Sequence, residues 1–329
     1  MLTNAMYKIK QIPEDFVVKE ETNVILKEKG QYSVYLMKKI NENTETSIRV
    51  IADKLNIDRK KVGYAGLKDK NAITEQYISI ANTSKDRIDK LQLRNIELKF
   101  IGYSDIPISL GDLKGNNFEI IIRNLNKKVD VRKLPYKIKF VNYFGEQRFS
   151  KSNVEIGKLI IKRRFKEAIE LILQTNPEKE EAIRDELEKN PSNHVNAIRI
   201  IPKRQIMLYV HSYQSSIWNE TAKEISKSVK TNIEVPLVGF GIEIKNKKIN
   251  EFLAEILKRD DIHTRNFIIR EMPEFSVEGT ERKLYAEAEK LKLISQEADE
   301  LNNGKYKIKV SFFLLKGCYA TEFIRQLFC

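Results

Sequence analysis

The sequence has only two cysteines, Cys318 and Cys329, in 329 residues. Two thiols near one end cannot form a disulfide framework, which fits a reducing, cytoplasmic setting. No apolar run approaches the ~20 residues that a membrane-spanning helix needs. The opening MLTNAMYKIKQIPEDF lacks the apolar segment of a secretory signal, so no membrane partner is expected. Glycine is scarce, at 13, which excludes collagen-like and glycine-rich linker proteins. No GxxxxGK[ST], HExxH, GxSxG or CxxC occurs, and Gly239 and Gly241 form a GxG without a third glycine. His194, His211 and His263 stand far apart, at no metal-ligand spacing. No common nucleotide-cofactor or metal motif is therefore indicated. Any catalysis must rest on carboxylate, lysine, hydroxyl or amide chemistry.

What is present is charge and enough apolar matter for cores. Hydrophobic residues make up 41% of the chain, and 59 Lys and Arg against 46 Asp and Glu leave a net charge of +13. The length suggests about two domains. The positive surplus favours a polyanionic partner, nucleic acid before membrane, although solubility alone would also account for it.

Along the first 150 residues, β-rich runs at Phe16–Glu20, Gln31–Lys38, Glu75–Ala81, Leu98–Tyr103 and Asn117–Arg123 are interspersed with helix. Ile48, Ile51, Ala52 and Leu55 recur at helical spacing, with Thr44 or Thr46 as the expected cap. A loop is expected at Val62–Lys70. Beyond Ser150, the apolar spacing from Ile156 to Ile172 predicts one long amphipathic helix. Further helices are expected over PEKEEAIRDELEKN, Leu208–Ile225 and Leu284–Leu301, with a short strand at FGIEI. Lys305–Leu315 alternates like a strand, and a short helix follows Gly317. A strand after a helical middle suggests that the middle is an insertion and that the last strand rejoins the first sheet. The expected fold is α+β, a mixed and mostly antiparallel sheet domain carrying an inserted helix-rich α+β domain.

Three clusters carry candidate chemistry. In Gly63–Asn71 (GYAGLKDKN), two glycines give a loop room to approach a ligand, and Asp69 lies between Lys68 and Lys70. Neighbouring cations favour an ionised carboxylate, which can act as nucleophile or base. The same letters are also ordinary chemistry of a solvated turn. Asn142–Phe149 (NYFGEQRF) gathers aromatics that stack on bases, amides that read base edges, and Arg148, suited to phosphate or carboxylate. Taken alone, it also fits a strand end with core aromatics. Lys10–Phe16 (KQIPEDF) reads as a turn entering the first strand.

In this order the clusters resemble the TruD family of tRNA pseudouridine synthases. The matching stretches are Lys10–Glu20 (KQIPEDFVVKE), Gly63–Gln76 (GYAGLKDKNAITEQ), Gly115–Phe118 (GNNF), Asn142–Phe149 and the closing Phe312–Leu327. The middle is similar only in Ser212–Glu220 (SYQSSIWNE), and Cys318 stands where the family pattern has a small residue. The resemblance implies a pseudouridine synthase catalytic domain over 1–150 and 302–329, with an RNA-binding insertion over 151–301. It implies cofactor-free conversion of a tRNA uridine, at position 13, to pseudouridine after base flipping. Asp69 matches the catalytic aspartate and Lys10 an active-site lysine able to pair with it. Phe144 matches the aromatic that stacks on the target base, Asn142 an active-site amide, and Phe16 a pocket-lining residue. Basic contacts to RNA are expected from Lys68, Lys70, Arg148, Lys162, Arg163 and Arg164, with further patches at Arg59–Lys61 and Lys245–Lys248. The expected partner is tRNA, with other RNA also open, and the expected state is a monomer. The alternative is a non-catalytic RNA-binding or remodelling protein on the same scaffold.

Overall fold

In the computed structural model, which describes residues 7–128, 135–150, 152–175 and 180–328, strands dominate both ends of the chain. The elements begin with β1 (Phe16–Thr22), β2 (Tyr32–Ile40), α1 (Thr44–Leu55), β3 (Val62–Tyr64), β4 (Ile73–Ala81), α2 (Lys85–Asp89), β5 (Ile96–Ser104) and β6 (Leu113–Leu125). Then β7 (Ile138–Val141) leads to α3 (Asn153–Ile161), α4 (Phe165–Thr175), α5 (Glu180–Lys189), α6 (His194–Arg199) and α7 (Lys203–Ser228). After β8 (Glu234–Leu237), α8 (Lys247–Asp260) and β9 (Thr280–Lys283), the chain ends with β10 (Tyr285–Ala298), β11 (Tyr306–Leu315) and α9 (Ala320–Phe328).

The chain divides into two compact units, residues 1–139 with 287–320, and residues 140–286 with 321–329. These limits differ from the expected boundaries at 150 and 301. Residues 140–150 belong to the second unit and 287–301 to the first. The second shift has a clear cause, because Leu284–Leu301 is not a helix. It contains β10, which pairs antiparallel with β11. The buried positions Tyr285, Ala288 and Leu291 stand three apart, and the register shift at Glu289/Lys292 falls between the last two, with another at Leu293/Ser295 beyond them. Bulges thus gave a strand the spacing of a helix.

In the first unit the sheet runs β5-β2-β4-β1-β6-β11-β10. Only β1 and β4 pair in parallel, and every other neighbour along this path is antiparallel. The last strand does rejoin the first sheet, through β6. Opposed residues share a face. The register therefore sets Lys39, Thr74, Val18, Phe118 and Phe312 in one row across five strands. On this face α1 buries Ile48, Ile51, Ala52 and Leu55 against Tyr35, Met37, Ile78 and Ile80. The opposite face carries Lys19, Glu119 and Lys309 in ion pairs. β3 takes up the edge of β4 at Ile78–Ile80, beyond the Ile73–Glu75 stretch held by β1. The loop from β3 to β4 emerges where these two partners change over.

α1 begins at Thr44 with Asn43 as its cap residue, so neither Thr44 nor Thr46 caps it. The expected Val62–Lys70 loop starts as strand β3.

The second unit is built on α3 and α7. Gly157 lets their backbones touch, since a Cβ there would lie 2.0 Å from the Tyr209 carbonyl. Tyr209, Tyr213, Ile217 and Trp218 of α7 are buried as expected. The predicted long helix breaks into α3 and α4 at Arg163, which takes a left-handed φ of 60°. No glycine or proline marks that stop. Arg163 is instead anchored by Glu271 and the Ile268 carbonyl. FGIEI forms no strand; Phe240 makes one isolated bridge, to Glu278, while β8 pairs β9. α9 returns to this unit, its Gln326 amide both donating to and accepting from the Val141 backbone.

One buried charge network fastens the entry to β1. Arg123 is 1% exposed and binds Asp15, itself fully buried, with Nε 2.8 Å from Oδ1. Its Nη1 reaches Asp299 at 2.8 Å. Asp15 also accepts the backbone N–H groups of Gln11 and Ile12, and Asp299 accepts that of Asn124. Burial alone would raise the Asp299 carboxyl, but the donors Asn124, Asn302, Leu301 and Arg123 hold it below the usual carboxylate range. Its contribution to stability is therefore complete above the unfolded-state value and drains away as pH falls through the lower folded value. Arg123→Met, which strands two buried carboxylates, is expected to cost about 3–5 kcal/mol in urea unfolding. A loss below about 1 kcal/mol would put the network in the class of weak surface pairs.

Candidate active site

In the first unit the structure brings together Lys10, Phe16 and Asp69. Lys10 Nζ lies 3.2 Å from Asp69 Oδ1 and 4.0 Å from the centre of the Phe16 ring. The Asp69 side chain keeps 32% of its exposure and that of Lys10 13%, so the carboxylate is reachable but partly shielded. Phe16 is buried and packs edge-on to Phe118, which stacks on Phe312. Phe16 is thus the apolar floor beneath the ammonium. Lys10 adopts a left-handed φ of 58°, and the two amides after it are held by Asp15. The Arg123 network therefore fixes the turn that presents Lys10.

The Asp69 loop is pinned from below by buried polar side chains. The Gln76 amide donates to the Gly66 carbonyl at 3.0 Å and accepts from the Thr44 hydroxyl at 2.9 Å. That hydroxyl also accepts the Lys68 N–H at 3.0 Å. Lys68 Nζ lies 2.5 Å from Glu20 and 2.9 Å from Asn116 Oδ1. The other Glu20 oxygen accepts the Tyr77 N–H, which falls between the two stretches of β4 that pair with β1 and β3. Lys39 Nζ donates to the Asp69 carbonyl at 2.8 Å.

These contacts change two sequence expectations. Lys68 is not an RNA contact here, because its side chain is 6% exposed and pairs with a fully buried Glu20 carboxylate. Lys70 is exposed. The two motif glycines also differ. At Gly63 a Cβ would lie 2.3 Å from the Ile108 carbonyl, so packing requires glycine there. Around Gly66 nothing lies within 4 Å of such an atom, which leaves space for a ligand.

Asn142, Phe144 and Arg148 lie together in the second unit. Phe144 is 8% exposed and meets Trp218 edge-on, with ring centres 5.6 Å apart. The guanidinium groups of Arg282 and Arg148 lie 4.2 and 5.1 Å from the centre of its ring. Asn219 clamps the Phe144 backbone from both sides. Asn142 is buried, with its side-chain oxygen 2.7 Å from Arg282 Nη2. Phe144 is therefore not an open platform for a base in this arrangement, and stacking there requires a guanidinium to leave the ring. Lys162 binds Asp261 and the Asp260 carbonyl, Arg163 binds Glu271, and Arg164 binds Glu167. Each cation of this expected RNA patch thus has a protein carboxylate beside it.

Sequence reasoning did not single out Lys39 or Arg282, named Thr44 only as a helix cap, and gave no supporting role to Asn116, Glu20 or Gln76. Glu20 and Gln76 close two of the quoted motifs. Lys39 shares the strand phase of Tyr35 and Met37, a lysine on the apolar side, and that parity is its signal. Among the described residues no group of three or more His, Cys, Asp or Glu could hold a metal ion, and no helix is long and apolar enough to cross a membrane.

The family model for tRNA pseudouridine synthase D (TruD) matches residues 3–186 and 220–327. The chain belongs to the TruD family. A TruD relative, tRNA pseudouridine synthase D of Aquifex aeolicus, is 31% identical over 98% of this chain and 98% of its own. A relative from Nanoarchaeum equitans assigned to the same enzyme is 32% identical, again with 98% of both chains covered. A crystal structure assigned to TruD of Methanosarcina mazei superposes with a TM-score of 0.73 at 27% identity, covering 96% of this chain and 92% of that one. The α+β fold with a mostly antiparallel sheet is thus the TruD fold.

The cluster around Phe144 contains the chain's single tryptophan, Trp218. Phe144→Ala is expected to shift Trp218 emission to the red and to cost about 3 kcal/mol or more of stability. Unchanged emission would show that the two rings do not pack in solution.

Proposed function

We propose that this protein converts a uridine of tRNA, at position 13, to pseudouridine, with Asp69 as the catalytic carboxylate and no cofactor. The observation that carries the reading is the Lys10–Asp69 pair, 3.2 Å apart, with Asp69 on a loop held by the buried side chains of Lys39, Thr44, Gln76 and Glu20 inside a TruD fold. The reaction adds and removes no atom overall. The bond from C1′ of the ribose to N1 of the base breaks, a bond from C1′ to C5 forms, C5 loses a proton and N1 gains one. An ionised carboxylate serves this by adding to the base or to C1′, or by assisting elimination. Lys10 Nζ lies beside the carboxylate and over the Phe16 ring. Gly66 leaves the loop open on the side where a base would enter.

A uridine reaches such a loop only after leaving its stack, at a cost of a few kcal/mol repaid by contacts in the pocket. Asn142 and Phe144 are assigned to the target base by the family pattern, with Arg282 moving off the ring when a base arrives. Phosphate contacts fall to exposed cations, Lys60, Lys61 and Lys70 in the first unit. In the second, Arg163 and Arg164 line a hollow of about 360 Å³ together with Lys166, Ser192 and His194. Their surface ion pairs are weak enough for a phosphate to replace the carboxylate. The second unit is, on this reading, the RNA-binding part.

Asp69→Asn is the decisive variant. Incubated with a tRNA transcript, wild-type protein is expected to form pseudouridine without added metal or nucleotide, while Asp69→Asn forms none and binds tRNA within a few-fold of wild type. An active Asp69→Asn protein would remove Asp69 from its role. Tight, salt-sensitive tRNA binding with every uridine intact in the wild type would favour the non-catalytic alternative.

A further inference from the structure

Lys39 is a lysine where the fold asks for an apolar residue. It stands on β2 in the row with Thr74, Val18, Phe118 and Phe312, beneath α1, and is 0% exposed. The sheet itself does not need the ammonium, because the strand is held by its backbone ladders to β4 and β5. A charge buried in such a place costs free energy, and an apolar side chain of like volume is often as stable or more so. What Lys39 does instead is join two backbone segments. Its Nζ donates to the Glu42 carbonyl at 2.6 Å, in the turn before α1, and to the Asp69 carbonyl at 2.8 Å. The turn before α1 leads into Thr44, which holds the Lys68 N–H. Lys39 thereby locks together both ends of the support beneath Asp69.

We propose that Lys39 is a positioning residue for the reaction: its buried ammonium fixes the Asp69 backbone and so aims the carboxylate at Lys10 and the substrate. The proposal rests on the reading of Asp69 given above. The groups that face the ammonium are Asp69 and Glu42, which favour its charge, and Lys68, which opposes it. Burial outweighs them and pushes the ammonium down to about 8. Mild alkali therefore turns the ammonium into an amine, which weakens both carbonyl contacts. The fold does not suffer from that step. The folded value lies below the ordinary lysine value of 10.5, so between the two the unfolded chain binds more protons, and the contribution of this group to stability rises with pH.

Turnover of a tRNA transcript, followed from about pH 6 to 9.5, tests this in wild type, Lys39→Met and Asp69→Asn. Wild-type kcat should fall on the alkaline side with a midpoint near 8, while KM for tRNA and the circular dichroism spectrum stay constant. Lys39→Met should lose roughly 100-fold in kcat at every pH, keep its tRNA affinity, and lack that alkaline limb. Wild-type kcat in Lys39→Met, or the same limb persisting in it, overturns the proposal. If Lys39→Met does not fold, the wild-type profile decides, and a kcat that stays level to pH 9.5 overturns it. An active Asp69→Asn protein refutes the reading of Asp69 itself; an inactive Asp69→Asn beside a normal Lys39→Met refutes only the role of Lys39.

Discussion

One constraint governs the first unit: the face of the sheet that α1 covers does not stay apolar. Along the register from β2 to β11, the covered face runs from Tyr35, Ile78 and Ile80 into Lys39, Thr74, Gln76, Glu20 and Asn116. Buried polar groups must be bonded to one another or to backbone, or they destabilise the fold. Here Lys39, Gln76, Glu20 and Asn116 meet the backbone or the Lys68 side chain of the loop between β3 and β4, while the Thr74 hydroxyl has no hydrogen-bond partner among the described residues. The loop cannot shift without leaving several of them unpaired. Asp69 owes its fixed place to that mutual dependence rather than to contacts of its own side chain, of which, among the described residues, only the pair with Lys10 is made.

Lys10 arrives by a separate route. It precedes β1 and is set by Asp15, which is in turn held by Arg123 on β6 and, through it, by Asp299 after β10. The two partners of the central pair are thus supported by different networks, one beneath α1 and one at the junction of β1, β6 and the β10–β11 turn. Both supports are internal to the first unit.

Much of this was legible in the sequence. β-rich runs placed β1, β2, β4, β5 and β6, and the alternation of Lys305–Leu315 placed β11. The quoted motifs located Lys10, Phe16 and Asp69, which the structure brings together. The misses have physical causes. β10 carried bulges that disguised its period, and the α3–α4 break used Arg163 in a backbone conformation that sequence does not ordinarily assign to arginine. Lys68 read as a cation for RNA because adjacency in sequence says nothing about Glu20, far away in the chain. The cover of Phe144, Arg282 and Trp218, was equally invisible in the sequence because it comes from remote segments. Pattern reports the neighbours that a strand or helix creates, and these sites are made by neighbours that topology creates.

Neither unit is a continuous stretch of chain. The backbone passes from the first to the second near residue 140, returns near 287 and leaves again near 320. β6 has β1 on one side, but its other edge is covered by β11, and the 140–141 segment meets the side chain of Gln326 in α9. During synthesis on a ribosome, then, the side of β6 that β11 later covers stays open over a long stretch of chain, and such edges invite pairing with other chains. The core beneath α1, by contrast, is made of residues between Tyr35 and Phe100 alone, so the first unit can bury its α1 side early while the far edge of its sheet waits for β11.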